Sequence, residues 1–346
     1  MKNVRTVAVA AAVAVSAISL AACGSSSSDK AASAGEPTAR LTLSIPDPID
    51  SSVGVTAKHF ATEVAKDSGN SIKVTVVPNG TSFGGDQKAA ITRVTQGSLD
   101  GTILSTSVYA GSIKQMNALS LPYLFKDTDQ VAAYLAGKPG KDLAGLLESQ
   151  AKTHELAFLT RTPREITNSQ RAITSPSDLK GLKLRVPGNP LWTTFFSSLG
   201  ASPTPMDFSE VFTALQTGTI DGQENPVEVP VANKFNQVQK YLSMTNHMSD
   251  AFVLALSDQK WNDLSKKQQD AMQKAASETE KYKTKYDADQ SAKQIAQLKS
   301  QGMKVNDLSK SAVADFRDKA RALYPQFRDL IGGDFMDETT AFVDGQ

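Results

Sequence analysis

From Leu41 onward the chain alternates short apolar runs of strand period with longer stretches of helical period, which restricts it to an α/β fold with helices covering parallel sheets. Residues 41–45 have the two-residue period of a strand and are closed by Pro46-Asp47-Pro48. Val53, Ala57, Phe60, Ala61, Val64 and Ala65 then recur at helical spacing until Gly69 stops the helix. The unit repeats. Residues 72–77 read as a strand, 86–96 as a helix, 101–104 as a strand, and further helices lead to a strand near 156–160. Thr162-Pro163-Arg164 then reads as a crossing segment into a second lobe, where the series starts again with a strand at 182–186 and a helix at 190–199.

The next helix, 207–217, carries its own punctuation. Asp207 is placed to cap it with Glu210 reaching back, Phe208, Val211, Phe212 and Leu215 form a stripe expected to be buried, and Gly218 follows at the C-terminal stop. Residues 265–301 contain neither proline nor glycine, and at 1.5 Å per residue they predict a helix about 50 Å long, enough to run along both lobes. No repeat of solenoid period is present.

The N-terminus is of a different kind. Lys2 and Arg5 precede an uncharged, Ala- and Val-rich run that extends to Ala22, the pattern of a secretory signal and short for a membrane span. It ends in Leu20-Ala21-Ala22-Cys23-Gly24, which resembles the lipobox of bacterial lipoproteins. That resemblance implies cleavage before Cys23, acylation of Cys23, and a protein anchored outside the cytoplasm. The Ser25-Ser26-Ser27-Ser28 run lies in the expected flexible tether, 23–38.

Composition removes several classes. With 37 Lys+Arg against 36 Asp+Glu there is no one-sided basic field, so nucleic acid is not an expected partner. Cys23 is the only cysteine, which excludes an intramolecular disulfide and a thiolate metal cluster. The three histidines, His59, His154 and His247, are isolated and form no H-E-x-x-H pair, so neither a metal nor a cofactor is expected; His59 falls off the apolar stripe of its helix and is expected to be solvated.

Three blocks carry a resemblance. Residues 167–190 read T-N-S-Q-R-A-I-T-S-P-S-D-L-K-G-L-K-L-R-V-P-G-N-P, 199–226 read L-G-A-S-P-T-P-M-D-F-S-E-V-F-T-A-L-Q-T-G-T-I-D-G-Q-E-N-P, and 235–242 read F-N-Q-V-Q-K-Y-L. Weaker matches lie at 76–86, 97–101 and 121–125. Together they resemble the DctP family, the extracytoplasmic solute-binding proteins of tripartite ATP-independent periplasmic (TRAP) transporters. The resemblance implies a periplasmic-binding-protein-like fold: two α/β lobes joined by a hinge, with a ligand cleft between them. The expected division is 1–22 signal, 23–38 tether, 39–162 with about 251–290 as the first lobe, and 163–250 with about 291–346 as the second.

It also implies a site and partners. Arg185 of the L-K-L-R-V-P strand occupies the place of the arginine that ligates a substrate carboxylate; a guanidinium fork held on a strand suits that task. Arg164 holds the place of a second family arginine, with Arg161 close by. Asn225 would offer an amide and Phe208 a wall, although the helix pattern alone would put Phe208 in the core; Asn189, beside Pro187 and Gly188, is a further candidate that a turn would equally explain. From the first lobe come Asp86 and the pair Ser105 and Thr106, at the carboxyl edge where α/β lobes bind ligands. Some family members have an acidic residue where Ser105 stands here. The expected function is a receptor for a small organic acid that serves TRAP membrane subunits, without catalysis. Two alternatives come from elsewhere: Gly80-Thr81-Ser82-Phe83-Gly84 fits the G-x-S-x-G pattern of a hydrolase with Ser82 as nucleophile, and a binding protein of this kind could serve a sensor instead.

Overall fold

The computed structural model describes residues 38–345; the expected signal 1–22 and the Cys23 anchor lie outside the described residues. Among the described residues no helix is long and apolar enough to cross a membrane. In chain order the first strands are β1 (Ala39–Ser44), β2 (Ile72–Val77), β3 (Gly101–Ser105) and β4 (Thr153–Thr160). The chain then crosses to a second sheet through β5 (Glu165–Asn168), β6 (Lys183–Val186), β7 (Ser202–Pro205), β8 (Gly222–Asn225) and β9 (Tyr241–Met244). It returns to the first as β10 (Ala251–Ser257) and ends in the second as β11 (Lys304–Asp307). The sheet orders are β2-β1-β3-β10-β4 and β11-β9-β5-β8-β6-β7, with helices between the strands, so the fold is the expected pair of α/β lobes.

The sheets are mixed where parallel sheets were expected. β1, β2 and β3 are parallel, as are β6, β7 and β8, but β10 runs antiparallel to both β3 and β4, and β5 antiparallel to both β8 and β9. The reversed strands are the ones fed directly from the other lobe, so no covering helix turns the chain round before they pair. The two crossing segments also bind each other: Arg164 N donates to Met248 O at 2.9 Å, and His247 N to Arg164 O at 3.3 Å. All seven residues of β10 are buried, consistent with the apolar run from Ala251 to Leu256.

The helix Lys266–Ser300 starts in a capping box, Ser265 with Gln268. Its Met272, Ala275 and Ala276 pack with Phe60 and Val64 on the first sheet, and farther along Leu298 packs with Val227 and Leu242 of the second lobe. His59 is half-buried and stacked on Tyr282 of this helix at 3.9 Å, in place of the expected solvated position. Within the second lobe, Trp192, Phe195 and Phe196 share a core with Phe316 and Phe327 of the C-terminal helices. The last helix, Gly333–Asp344, also reaches first-lobe residues: Thr339 bonds the Tyr134 hydroxyl at 2.8 Å and Val343 O accepts from Gln130 at 3.2 Å.

One local expectation is corrected. Residues 207–217 are not one helix: Phe208–Glu210 form a 3₁₀ turn ahead of the helix Val211–Thr217, and Asp207 makes no side-chain capping bond. Phe208 and Phe212 are half-buried: Phe208 lies in the 3₁₀ turn, and Phe212, one residue past Val211, falls off the Val211, Ala214 and Leu215 face of the helix.

Phe60 has no exposed surface and joins the helix Ser52–Asp67, the sheet and the long helix. Phe60→Ala should destabilise the protein by about 3 to 5 kcal/mol; urea unfolding of the two forms measures this, and a loss below 1 kcal/mol would show that the site collapses around the gap.

Candidate functional site

Ligand sites of α/β lobes lie beyond the carboxyl ends of strands, and here the two lobes turn those ends toward each other. Asp47 follows β1 and Ser105 ends β3 in the first lobe; Arg185 lies near the end of β6 and Asn225 ends β8 in the second. With Arg161 and Arg164 from the crossing segment and Phe208 as a wall, they line an inner chamber of ≈ 60 Å³.

The three arginines are held very differently. The Nε of Arg164 donates to Glu224 at 2.6 Å and its Nη2 to Glu224 at 2.7 Å and to Asn225 Oδ1 at 2.9 Å, while Nη1 donates to Asp250 at 3.2 Å. Arg161 shares Asp250 at 3.0 Å, reaches Glu228 at 3.1 Å, and lies 4.2 Å over the Phe252 ring. Arg185 is 5% exposed, yet its Nε and Nη2 donate only to the backbone carbonyl of Met206, at 3.1 and 2.8 Å. Its guanidinium sits 5.8 Å from the Phe208 ring, and among the described residues it has no carboxylate partner. Burial lowers its pKa to about 10, so it stays cationic at neutral pH. A buried charge without a counterion is costly; an incoming carboxylate supplies one.

Glu224 anchors the paired side of the cluster. Burial alone would raise its carboxyl, but Arg164 overrides burial and brings the pKa down to about 2. Burial lowers the pKa of His247 despite the neighbouring Glu224. The neutral ring donates from Nε2 to Glu224 at 3.1 Å and accepts at Nδ1 from Thr245 at 2.8 Å, since a carboxylate can only accept. Asp47 moves the other way: burial, with Glu228 adding to it, lifts its pKa to about 6 against the pull of Arg161.

Of the residues expected at the site, Arg185, Arg164, Asn225, Phe208 and Ser105 line the chamber. The Ser105 hydroxyl donates to Asp250 at 2.7 Å, and the Asn225 amide donates to Gln223 at 2.7 Å. The other three do not line it. Asp86 caps a helix by accepting from Lys88 N and Ala89 N, and Gln87 faces the chamber instead. Thr106 accepts from Ala251 N at 3.4 Å, leaving Ser107 and Val108 as the wall. Asn189 caps the helix Pro190–Ser198 and donates across the cleft to Asn117 at 2.7 Å and to Ser107 O at 3.4 Å, which makes it a bridge between lobes. Asp47 was missed, although it follows a strand just as Ser105 does. Glu224, Asp250 and Glu228 had no local signal, because their arginine partners are more than 50 residues away.

Ser82 lies in a 3₁₀ turn, and none of the three histidines is its partner: His154 bonds Glu148, His247 bonds Glu224 and Thr245, and His59 stacks on Tyr282. The acidic side chains of Glu63, Asp67 and Glu278 come close enough to hold a metal, but Lys66 and Lys274 already pair with them.

Two α/β lobes around a cation-lined cleft define a two-lobed solute-binding protein. Residues 47–329 match the model of DctP, bacterial extracellular solute-binding protein family 7, and the chain belongs to that family. It is 35% identical over 278 residues, 80% of this chain and 82% of the relative, to the 2,3-diketo-L-gulonate-binding periplasmic protein YiaO of Escherichia coli (strain K12). A TRAP periplasmic solute-binding protein from Polaromonas sp. JS666, bound to D-erythronate, superposes with a TM-score of 0.82 at 33% identity, covering 88% of this chain and 98% of that one. The sugar acid binding protein DctPAm from Advenella mimigardefordensis, in complex with galactonate, gives 0.86 at 30% identity, covering 89% and 99%.

Because the Glu224 pKa is depressed below its ordinary 4.5, its stabilising contribution is complete above that pH and is lost as the pH falls toward 2. Glu224→Gln leaves Arg164 with one buried partner fewer and should cost about 3 to 5 kcal/mol at pH 7, with a shallower loss of stability below pH 4.5 than the parent. Urea denaturation across pH tests both; parallel acid limbs would place the acid sensitivity elsewhere.

Proposed function

We propose that this protein is an extracytoplasmic receptor that takes a small organic acid between its lobes, with the acid's carboxylate on Arg185, and hands it to the membrane subunits of a TRAP transporter. The observation that carries the reading is the contrast among the arginines: Arg161 and Arg164 already have buried carboxylates, whereas Arg185, equally buried, has only a carbonyl. The relatives support it, since diketogulonate, erythronate and galactonate are all carboxylates. Arg164 is the second arginine of the reading, aligned by Glu224 and Asp250, and Asn225 orients the ligand's polar atoms. No chemical step is assigned to any residue; binding and lobe closure are the whole cycle.

Arg185→Ala should weaken binding of an organic acid selected by thermal-shift screening at least tenfold, because a desolvated carboxylate loses its fixed partner, a change that typically costs about 2 to 5 kcal/mol. Arg185→Lys should also weaken it, since an ammonium keeps the charge but not the fork. Calorimetry decides, with melting curves of the ligand-free variants as the folding control; near-normal affinity in folded Arg185→Ala would overturn the assignment.

The lipid anchor belongs to the same reading. It rests on the uncharged leader and on Cys23 as the sole cysteine of the sequence. Cys23→Ser should abolish metabolic labelling with a fatty acid and release the protein from membranes, and persistent labelling would refute the anchor.

A further inference from the structure

The inner chamber has a neighbour at Phe208. Beside that ring lies an outer chamber of ≈ 240 Å³ whose wall includes Phe83, Phe208, Phe212 and Phe235 together with Pro46 and Pro48. Pro46, Gln87 and Phe208 border both spaces, so the two adjoin at the Phe208 ring. Phe208 lies 5.8 Å from the Arg185 guanidinium and 6.4 Å from the Phe235 ring, and Phe212 lies 6.4 Å from Phe235.

The two chambers differ in chemistry as well as size. The inner one holds Arg161, Arg164, Arg185 and Asp47, whereas the outer one has no charged side chain: six of its lining residues are prolines and phenylalanines, with Asn79, Gln87, Ser209 and Asn233 among the rest. A second carboxylate placed there would be desolvated without a cation. A cavity of about 150 Å³ lined by apolar side chains accepts benzene, so ≈ 240 Å³ is ample for a phenyl-sized group. The lobes meet beside it at Gly85 and Ser209: Gly85 has φ +82°, and a Cβ there would come within 2.8 Å of the Ser209 hydroxyl. A glycine at this point lets the second lobe come up against the chamber, so lobe closure would trap a tail as well as a head.

We infer that the outer chamber is a specificity subsite for the uncharged, apolar tail of the organic acid, so that the ligand is a monocarboxylate whose head meets Arg185 and whose tail passes Phe208 to lie among Phe212, Phe235 and Pro48. This deepens the carboxylate reading and rests on it. The occupant follows from that adjacency: a head held by Arg185 beside Phe208 leaves its remaining atoms next to the outer chamber.

Calorimetry of the mature protein with propanoate, 3-phenylpropanoate and gluconate tests the inference. The expected result is that 3-phenylpropanoate binds at least tenfold tighter than propanoate and tighter than gluconate, that Phe212→Ala reduces the phenyl gain at least fivefold while leaving propanoate unchanged, and that Arg185→Ala weakens both. The comparison in the parent protein stands even if Phe212→Ala is unstable. Equal affinities for the two propanoates, tighter binding of gluconate, or no binding of any of the three would overturn the apolar subsite. In the first two cases continued dependence on Arg185 leaves the carboxylate reading standing, whereas affinities untouched by Arg185→Ala would overturn that reading itself.

Discussion

The architecture turns on one buried charge cluster where the chain passes between lobes. Arg161 and Arg164 come from the first crossing, His247 and Asp250 from the second, and Glu224 and Glu228 from the second lobe. Taking this many ionisable groups out of water is costly, and only close geometry with nearly every hydrogen-bonding position used can offset it. That demand couples the crossing segments to each other and to the end of β8. Any change of lobe angle must therefore be absorbed around the cluster or break bonds that are expensive to leave unmade.

The same cluster makes Arg185 distinctive. Arg161 and Arg164 already have buried carboxylate partners. Arg185 is held in place by the Met206 carbonyl and the Phe208 ring, neither of which cancels its charge. The fork is thus oriented by fixed contacts, and a preorganised group loses little freedom when it meets a partner. Asn189, which links the second lobe to Asn117 and Ser107 of the first, shows how contacts away from the ligand can add to closure.

Much of this was legible in the sequence where the determinants are local. The strand at 72–77, the start of the long helix at Ser265, the helix start at Asp86 and the crossing at 161–165 follow from periodicity, capping chemistry and proline, which act over a few residues. The motif block led to Arg185 and Asn225. Local rules misled at 207–217, where a capping pattern precedes a 3₁₀ turn and a shorter helix; at Asn189 and Asp86 one short amide or carboxylate caps a helix end, a task the same side chains perform as readily as holding a ligand.

By itself, then, the sequence determined the α/β class, the two-lobed alternation and the arginine-bearing strand, because hydrophobic period and backbone capping are properties of neighbouring residues. Only the tertiary structure decided which arginines are neutralised. Glu224 reaches Arg164 across 60 positions of sequence and Asp250 reaches it across 86, and ionic pairing depends on distance in space and on exclusion of water, neither of which a linear pattern records.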